Sequence, residues 1–444
     1  MVVGTIVGAS IFVQPSEVSR AVPSFGGMLL VWVGAGALTW FGASICAELT
    51  SAYPKTGGVY VFLRAMFSPA VGFLWGWAMF WSMHSGIIAA IAVVFGRYTA
   101  TLVPMGDLGI RLTAVGGILV LSAINYFGVR LGSAVQTALT MAKVAAIAGL
   151  VALLLAAGTL RVPEPARSSI EAGAFLRALV AGLFAFGGWH MVTYAAAETR
   201  DPERTIPRAL MAGTAVVVVI YLALNAAYLL VLPLDRVLTS THIAYDATVA
   251  AAGAGAASAI AILVIVSSVG GVSGIILAGP RVYLAMAEDG LLFKWMGSVH
   301  PKYRTPAAAI AVQAIWSSAL VLTGTYGVIV SRVVYTEWIF FGALALGTMR
   351  LRAGDGYAPA FRAAGFPVAP ALFAATCLAI VVNQIASDPR NSVFGLGLVL
   401  AGLPVYAIWR RVHARDRFSQ PLLSTEVHAG AAVGSEQRAR DDRR

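Results

Sequence analysis

The residues with the most chemical potential in this chain are small ones. Gly4-Thr5-Ile6-Val7-Gly8-Ala9-Ser10-Ile11-Phe12 is hydrophobic, yet it sets two glycines and two hydroxyls where a plain apolar helix would carry Leu or Val. Glycine weakens a helix and lets the backbone approach a neighbour or ligand closely. Gly187-Gly188, inside Leu183-Phe184-Ala185-Phe186-Gly187-Gly188-Trp189, makes a second interruption in a later apolar run. An interrupted helix exposes unpaired N–H groups on one half and unpaired C=O groups on the other. That chemistry is binding: N–H groups and a positive helix end suit a carboxylate, and free carbonyls suit an ammonium. Each such dipole interaction contributes about 1 to 2 kcal/mol when partly buried. Gly4 and Gly8 alone also fit a small-xxx-small helix contact. The second break, at a corresponding place in the other half of the chain, turns the argument toward a shared site.

Charged groups inside apolar runs are the next signal. Lys143 stands within Met141-Ala142-Lys143-Val144-Ala145, and a lysine at the centre of a membrane helix costs about 2.5 to 3.5 kcal/mol. It therefore needs a partner, and it is a candidate for coupling or gating; a structural or snorkelling lysine is the alternative. His84 is a weaker candidate, since a lone helix histidine is often a hydrogen-bonded packing residue. Glu48 and Glu198 lie near the ends of runs, where they are expected either to pair with Arg204 or Arg208 or to be solvated. No His-Glu-x-x-His, no paired intramembrane aspartates and no Ser/His/Asp set appears, so no catalytic residue, cofactor or metal is assigned. Cys46 and Cys377 fall in apolar runs far apart and imply no disulfide framework.

These residues are carried by a membrane protein. The chain has 444 residues, 59% hydrophobic and 11% charged, with a mean hydropathy of +0.81, whereas soluble domains carry about 25% charge. The net charge of +11 is dispersed between apolar runs and not gathered on one face, which excludes a nucleic-acid surface. Apolar runs long enough to span a bilayer number about twelve. They lie near 1–20, 27–50, 69–102, 112–128, 133–158, 174–196, 209–232, 250–287, 306–323, 327–349, 366–386 and 393–409. The residues after Arg411 read as a polar, disordered tail, 412–444.

About 13 Lys and Arg fall in loops on the side of Lys55, Arg200 and Arg352, and about nine on the side of Arg20, Arg111 and Arg236. The first side, with the tail and its Arg410, Arg411, Arg415 and Arg417, is expected to be cytoplasmic. The first run lacks a basic leader and a cleavage site, so it is expected to remain as a span. It begins so close to Gly4 that its inner half is expected to be short, unless the start is assigned too late.

Gly4 through Phe12 resembles the first-span signature of the amino acid–polyamine–organocation (APC) superfamily. Ala47-Glu48-Leu49 with Tyr53-Pro54-Lys55-Thr56-Gly57-Gly58-Val59-Tyr60 resembles its second-span end and first inner loop. Phe184-Ala185-Phe186-Gly187-Gly188-Trp189, then Glu198 and Asp201-Pro202-Glu203-Arg204-Thr205-Ile206-Pro207-Arg208, is similar to span six of its L-type amino acid transporter branch. Lys143, Arg281, His300-Pro301 and Thr305-Pro306 also match that branch.

The resemblance implies an all-α, LeuT-like fold. Spans one to five (1–158) and six to ten (174–349) form two inverted repeats with broken spans one and six, and 366–411 forms two peripheral spans. It implies a sodium-independent secondary transporter of neutral amino acids, working by proton symport or by exchange. Ile6, Gly8, Ala9, Ser10, Phe184 and Gly187 are the expected substrate contacts, with Phe184 as an aromatic lid. Lys143 is expected to touch carbonyls near Gly4 and Thr5 and the hydroxyl of Ser267, in the place where other members bind sodium. Two departures are visible: Ser10 replaces the last glycine of the usual span-one triplet, and Ala197 stands where relatives often have Glu.

A wall of Ile6, Ala9, Phe184 and Gly187 offers no carboxylate for a cationic side chain, which favours neutral substrates over polyamines or other organic cations. A non-transporting membrane sensor is the alternative from another class. The expected partners are an amino acid, the lipid bilayer and, under symport, protons. The expected location is the plasma membrane, and nothing indicates an accessory subunit.

Overall fold

The computed structural model describes residues 2–128, 133–161 and 170–413. Arg130, Pro163, Pro165, Arg167 and the polar tail expected at 412–444, with its Arg415 and Arg417, fall wholly or almost wholly outside the described residues. In lipid every backbone N–H and C=O must be satisfied within the segment, which a helix achieves and an open strand does not. The chain is accordingly all-helical across the described residues. Among the described residues ten helices are long and apolar enough to cross a membrane, and Ala307–Thr323 is a shorter apolar one. With the interrupted first segment they make the expected set of twelve spans.

Span 1 is broken into Val2–Ile6, a 3-10 turn Ala9–Phe12, and Gln14–Ala21. Spans 2 to 5 are Phe25–Ala52, Pro69–Leu102, Asp107–Tyr126 and Ser133–Ala157. Span 6 is broken into Ala172–Ala185 and a 3-10 segment Trp189–Glu198. Spans 7 to 10 are Pro202–Val231, Ile243–Glu288, Ala307–Thr323 and Tyr326–Ala353. Spans 11 and 12 are Val368–Ser387 and Pro389–Arg411. Helix starts carry the expected chemistry: Ser24 caps the Gly27 N–H and Ser68 the Val71 N–H, the latter with Pro69 in the first turn. The helix of span 8 begins earlier than its apolar run, at Ile243, because the polar His242 before it and Asp246 in its first turn, 3.1 Å apart, lower the hydropathy there. At Gly253 its backbone leaves helical geometry with φ +82°, so the 46 residues are two helices in sequence.

The spans meet in a regular order. Span 1 packs on span 6, span 2 on span 7, span 3 on span 8 and span 4 on span 9. Between spans 2 and 3 lies a short helix that hydropathy does not reveal, Val59–Met66. Its Tyr60 hydroxyl donates to the Asp289 carboxylate at 2.5 Å, and Arg64 pairs with the same carboxylate at the end of span 8. Burial, then the Asp289 charge, push the Tyr60 phenol up, so it remains a donor.

The C-terminal ends of spans 2 and 6 do not behave as expected. Glu48 is fully buried and pairs with Arg352 of span 10, whose Nε donates to Oε1 at 2.7 Å, while the Ala363 N–H donates to Oε2. Glu198 pairs in a two-pronged way with Arg281 of span 8, at 2.8 and 3.1 Å. The expected partners Arg204 and Arg208 are displaced because span 7 starts directly after Asp201 and carries those arginines along its own first turns. Cys46 and Cys377 are both free and buried.

Candidate functional site

The two breaks face each other. After Ile6 the chain turns extended at Gly8 (φ −104°, ψ −174°), with the Gly8 N–H donating to the Ile6 carbonyl at 2.7 Å. The turn Ala9–Phe12 then starts afresh, and the first N–H groups of such a segment have no partner within it. In span 6 the helix stops at Ala185, the Gly187 N–H returns to the Phe184 carbonyl at 3.1 Å, and Gly188 takes φ +98°, a region that only glycine enters without strain. The Tyr221 hydroxyl of span 7 lies 3.1 Å from the Ile6 carbonyl and 3.3 Å from the Ala185 carbonyl, so one donor ties both broken helices together.

Between the breaks is a small cavity of about 30 Å³. Ile6, Gly8, Ser10, Phe184 and Gly187, all singled out from sequence, line it together with Thr5, Gly188 and Met191. Ala9 is fully buried and stands outside this wall. Phe184 is only 7% exposed and closes one side. Ile87 and Ile91 of span 3, Ile275 of span 8 and Val333 of span 10 supply an apolar back. Trp189 is packing: a Cβ on Gly42 would meet its ring at 2.8 Å, and its ring lies tilted against Phe341 with centroids 4.8 Å apart.

The expectation of a wall without a carboxylate is overturned. Glu337 of span 10 lines the cavity, is 4% exposed, and its Oε1 has no hydrogen-bond partner among the described residues. Its position was missed because one acid in Tyr335-Thr336-Glu337-Trp338 is diluted by the apolar residues around it. The rule that singled out Lys143, the cost of a charge inside a span, applies equally to Glu337 and would have found it.

Lys143 sits beside this assembly, on span 5. Its ammonium donates to the Ser267 backbone carbonyl at 3.2 Å, where the Ser267 hydroxyl had been expected, and the bare Cα of Gly270 leaves it room. Gly4 meets span 5 through Thr140, whose hydroxyl oxygen would stand 2.6 Å from a Cβ at that position. The Gly57-Gly58 loop docks on the second half of span 6: the Gly57 N–H donates to the Tyr194 carbonyl at 3.3 Å, and a Cβ on Gly58 would overlap the Thr193 hydroxyl. No cluster of His, Cys, Asp or Glu among the described residues could hold a metal ion.

A family model described as amino acid permease matches residues 1–403. The chain belongs to the amino acid permease family. This permease is 30% identical over 414 residues to the serine/threonine exchanger SteT of Bacillus subtilis (strain 168), covering 91% of this chain and 94% of the relative. It is 28% identical over 426 residues to the human cystine/glutamate transporter, covering 92% and 83% of the two chains. To the large neutral amino acids transporter small subunit 2 of Rattus norvegicus it is 29% identical over 425 residues, covering 91% and 78%. The permease is thus a multi-pass membrane transporter of amino acids and not an enzyme. The resemblance read from its glycine motifs is that of its family.

Proposed function

We propose that this permease is a sodium-independent carrier of neutral amino acids that works by alternating access, as a proton symporter or an amino acid exchanger. The observation that carries the reading is the small cavity between the two broken spans, lined by Ile6, Gly8, Ser10, Phe184 and Gly187. A substrate carboxylate is assigned to the N–H groups opening the turn after Gly8, where Ser10 adds a hydroxyl. The ammonium is assigned to carbonyls at the ends of the inner half of span 1 and the outer half of span 6. The Ile6 carbonyl already accepts from Gly8 and Tyr221, which shifts that role toward its neighbours. The small volume and apolar back support a compact, uncharged side chain.

Residues 1–158 and 174–349 are read as inverted repeats, supported by the pairing of each of the first four spans with the span five places later. Spans 11 and 12 are peripheral. Lys143, held to Ser267 in a place that suits a bound sodium ion, supports sodium independence and a gating role. The excess of basic residues in the loops on the side of Lys55, Arg200 and Arg352 supports placing that side and the C-terminal tail in the cytoplasm, with the plasma membrane as the proposed location. Glu337 favours a second reading, in which its carboxylate meets a cationic side chain or a polyamine.

Radiolabelled uptake into proteoliposomes with a panel of neutral, cationic and anionic amino acids and a polyamine decides between these. Each is measured with and without internal substrate, and with sodium or potassium outside. Saturable uptake of neutral amino acids indifferent to sodium is the expected result. Preference for lysine or putrescine selects the second reading, and binding without any flux selects a sensor.

A further inference from the structure

Beside the cavity lies a group of buried polar side chains, of which Glu337 alone is in the cavity wall. Glu337 is its member nearest the cavity, and its Oε1 stands 4.0 Å from Nε2 of His190. His190 is 1% exposed, and neither of its ring nitrogens has a hydrogen-bond partner among the described residues. Its ring is boxed by Trp75, Trp189 and Phe341, with centroids 5.1 to 5.9 Å away. Tyr194, one turn along the same segment, lies 5.6 Å from His190 and 6.0 Å from His84 on its other side. His84 is fully buried, and both of its ring nitrogens are also without a partner.

His84 immediately follows Met79–Met83, where span 3 widens into a π-helix, a device that re-aims side chains and recurs at functional sites. Across the bare Cα of Gly279, a Cβ would stand 3.0 Å from His84 Nδ1 and 2.9 Å from Gln313 Oε1. The Gln313 amide is equally unpartnered, as is the Tyr283 hydroxyl one turn beyond Gly279.

Buried polar groups in proteins are almost always hydrogen-bonded, and in a membrane each exception is costly. Here five side chains from spans 3, 6, 8, 9 and 10 converge with their polar atoms unspent. The titratable groups that face Glu337 are His190 and Tyr194 from span 6; His84 of span 3 lies beside His190 and Tyr194, and Tyr283 of span 8 and Cys46 of span 2 lie beside Tyr194. Bridging water suits such a run of donors and acceptors, and an acid and two imidazoles along it can hold and pass a proton.

We propose that Glu337, His190 and His84 form a hydrated proton-binding cluster joined to the substrate cavity through the Glu337 carboxylate, making the carrier a proton symporter. The proton enters with the substrate and rests on Glu337, which leaves the cavity wall uncharged while the amino acid is bound. As the substrate departs on the far side, Glu337 gives the proton up to that solution by way of His190 and the bridging water, and the empty carrier returns with Glu337 ionised. This rests on the amino acid carrier reading and chooses symport within it.

The test uses the full-length protein in proteoliposomes holding a pH-sensitive dye, with an equimolar mixture of the common amino acids added outside as the probe. Radiolabelled counterflow of the same mixture is measured in parallel. In the wild type, the mixture is expected to evoke internal acidification in step with uptake. In Glu337→Gln and His190→Gln the ratio of protons to amino acids is expected to fall to the background of protein-free liposomes. Wild-type counterflow without acidification, or a variant that keeps the wild-type ratio, overturns the proposal. Absence of counterflow in the wild type overturns the carrier reading instead.

Infrared difference spectroscopy on the wild type covers the case of variants that carry no flux. Adding the mixture is expected to change the carbonyl band of a protonated carboxyl, and the lack of any such change also overturns the proposal.

Discussion

The Cα of Gly188 faces the carbonyl of Thr5: a Cβ built there would stand 2.6 Å from that oxygen and 3.3 Å from its carbon. The two breaks that define the site are therefore in backbone contact, and Gly188 also holds φ +98°. Both facts act in the same direction, because any side chain would push the half-helices apart and strain its own backbone.

Gly188→Ala is accordingly expected to abolish uptake. The left-handed backbone alone costs an alanine about 1 to 2 kcal/mol, and the clash with Thr5 adds to it. Gly8→Ala is the contrast, since its Cβ would meet nothing closer than 3.8 Å. That variant is expected to fold normally but, by narrowing the cavity, to raise KM. Equal uptake by the two variants in proteoliposomes would show that the contact between the breaks has no part in transport.

Tyr221→Phe removes the one donor shared by the Ile6 and Ala185 carbonyls. A hydrogen bond of this kind contributes about 0.5 to 1.5 kcal/mol net, so the fold survives. The loss falls on the relation between spans 1 and 6. The expected outcome is a melting temperature lowered by a few degrees in detergent, with a larger proportional fall in maximal transport rate. A variant with wild-type flux and lowered melting temperature would make Tyr221 a packing residue only.

The breaks were legible because glycine is a backbone signal: Gly8 and Gly187-Gly188 are unusual in apolar runs whatever surrounds them. Lys143 was legible because a lysine in a span is costly on its own account. The partners were not. Glu48 and Arg352 lie 304 residues apart, and only the packing of span 10 against span 2 brings them together. Glu337 and His190 were hidden for a related reason. Each is a single polar residue in an apolar run, and their meaning comes from the distance between them, which depends on how spans 6 and 10 cross. The short helix Val59–Met66 is too brief and too mixed for hydropathy to register.

Glu48→Gln tests the clamp between spans 2 and 10. Removing one partner of a buried pair leaves the other charge uncompensated and costs about 3 to 5 kcal/mol. Glu48 is fully buried and Arg352 nearly so, so a marked drop in melting temperature is expected. Glu198→Gln breaks a pair whose side chains are 54% and 35% exposed, and exposed pairs contribute about 0 to 1 kcal/mol. Its melting temperature should hardly move. Similar thermal shifts in both would contradict the assignment of burial.

Lys143→Ala separates a brace from a proton carrier. Its ammonium holds the Ser267 carbonyl at 3.2 Å, linking span 5 to span 8, while Thr140 on the same helix lies against Gly4. Losing the link should misplace the inner half of span 1 in substrate uptake and in exchange alike. A loss of about 1.4 kcal/mol in the rate-limiting closure corresponds to a tenfold lower rate. If the proton rests on Glu337, the ratio of protons to amino acids in the remaining flux should stay at the wild-type value. A collapse of that ratio with exchange intact would move the proton site from span 10 to span 5. Unchanged uptake with unchanged pH dependence would leave Lys143 a structural residue, its charge answered by the Ser267 carbonyl and nothing more.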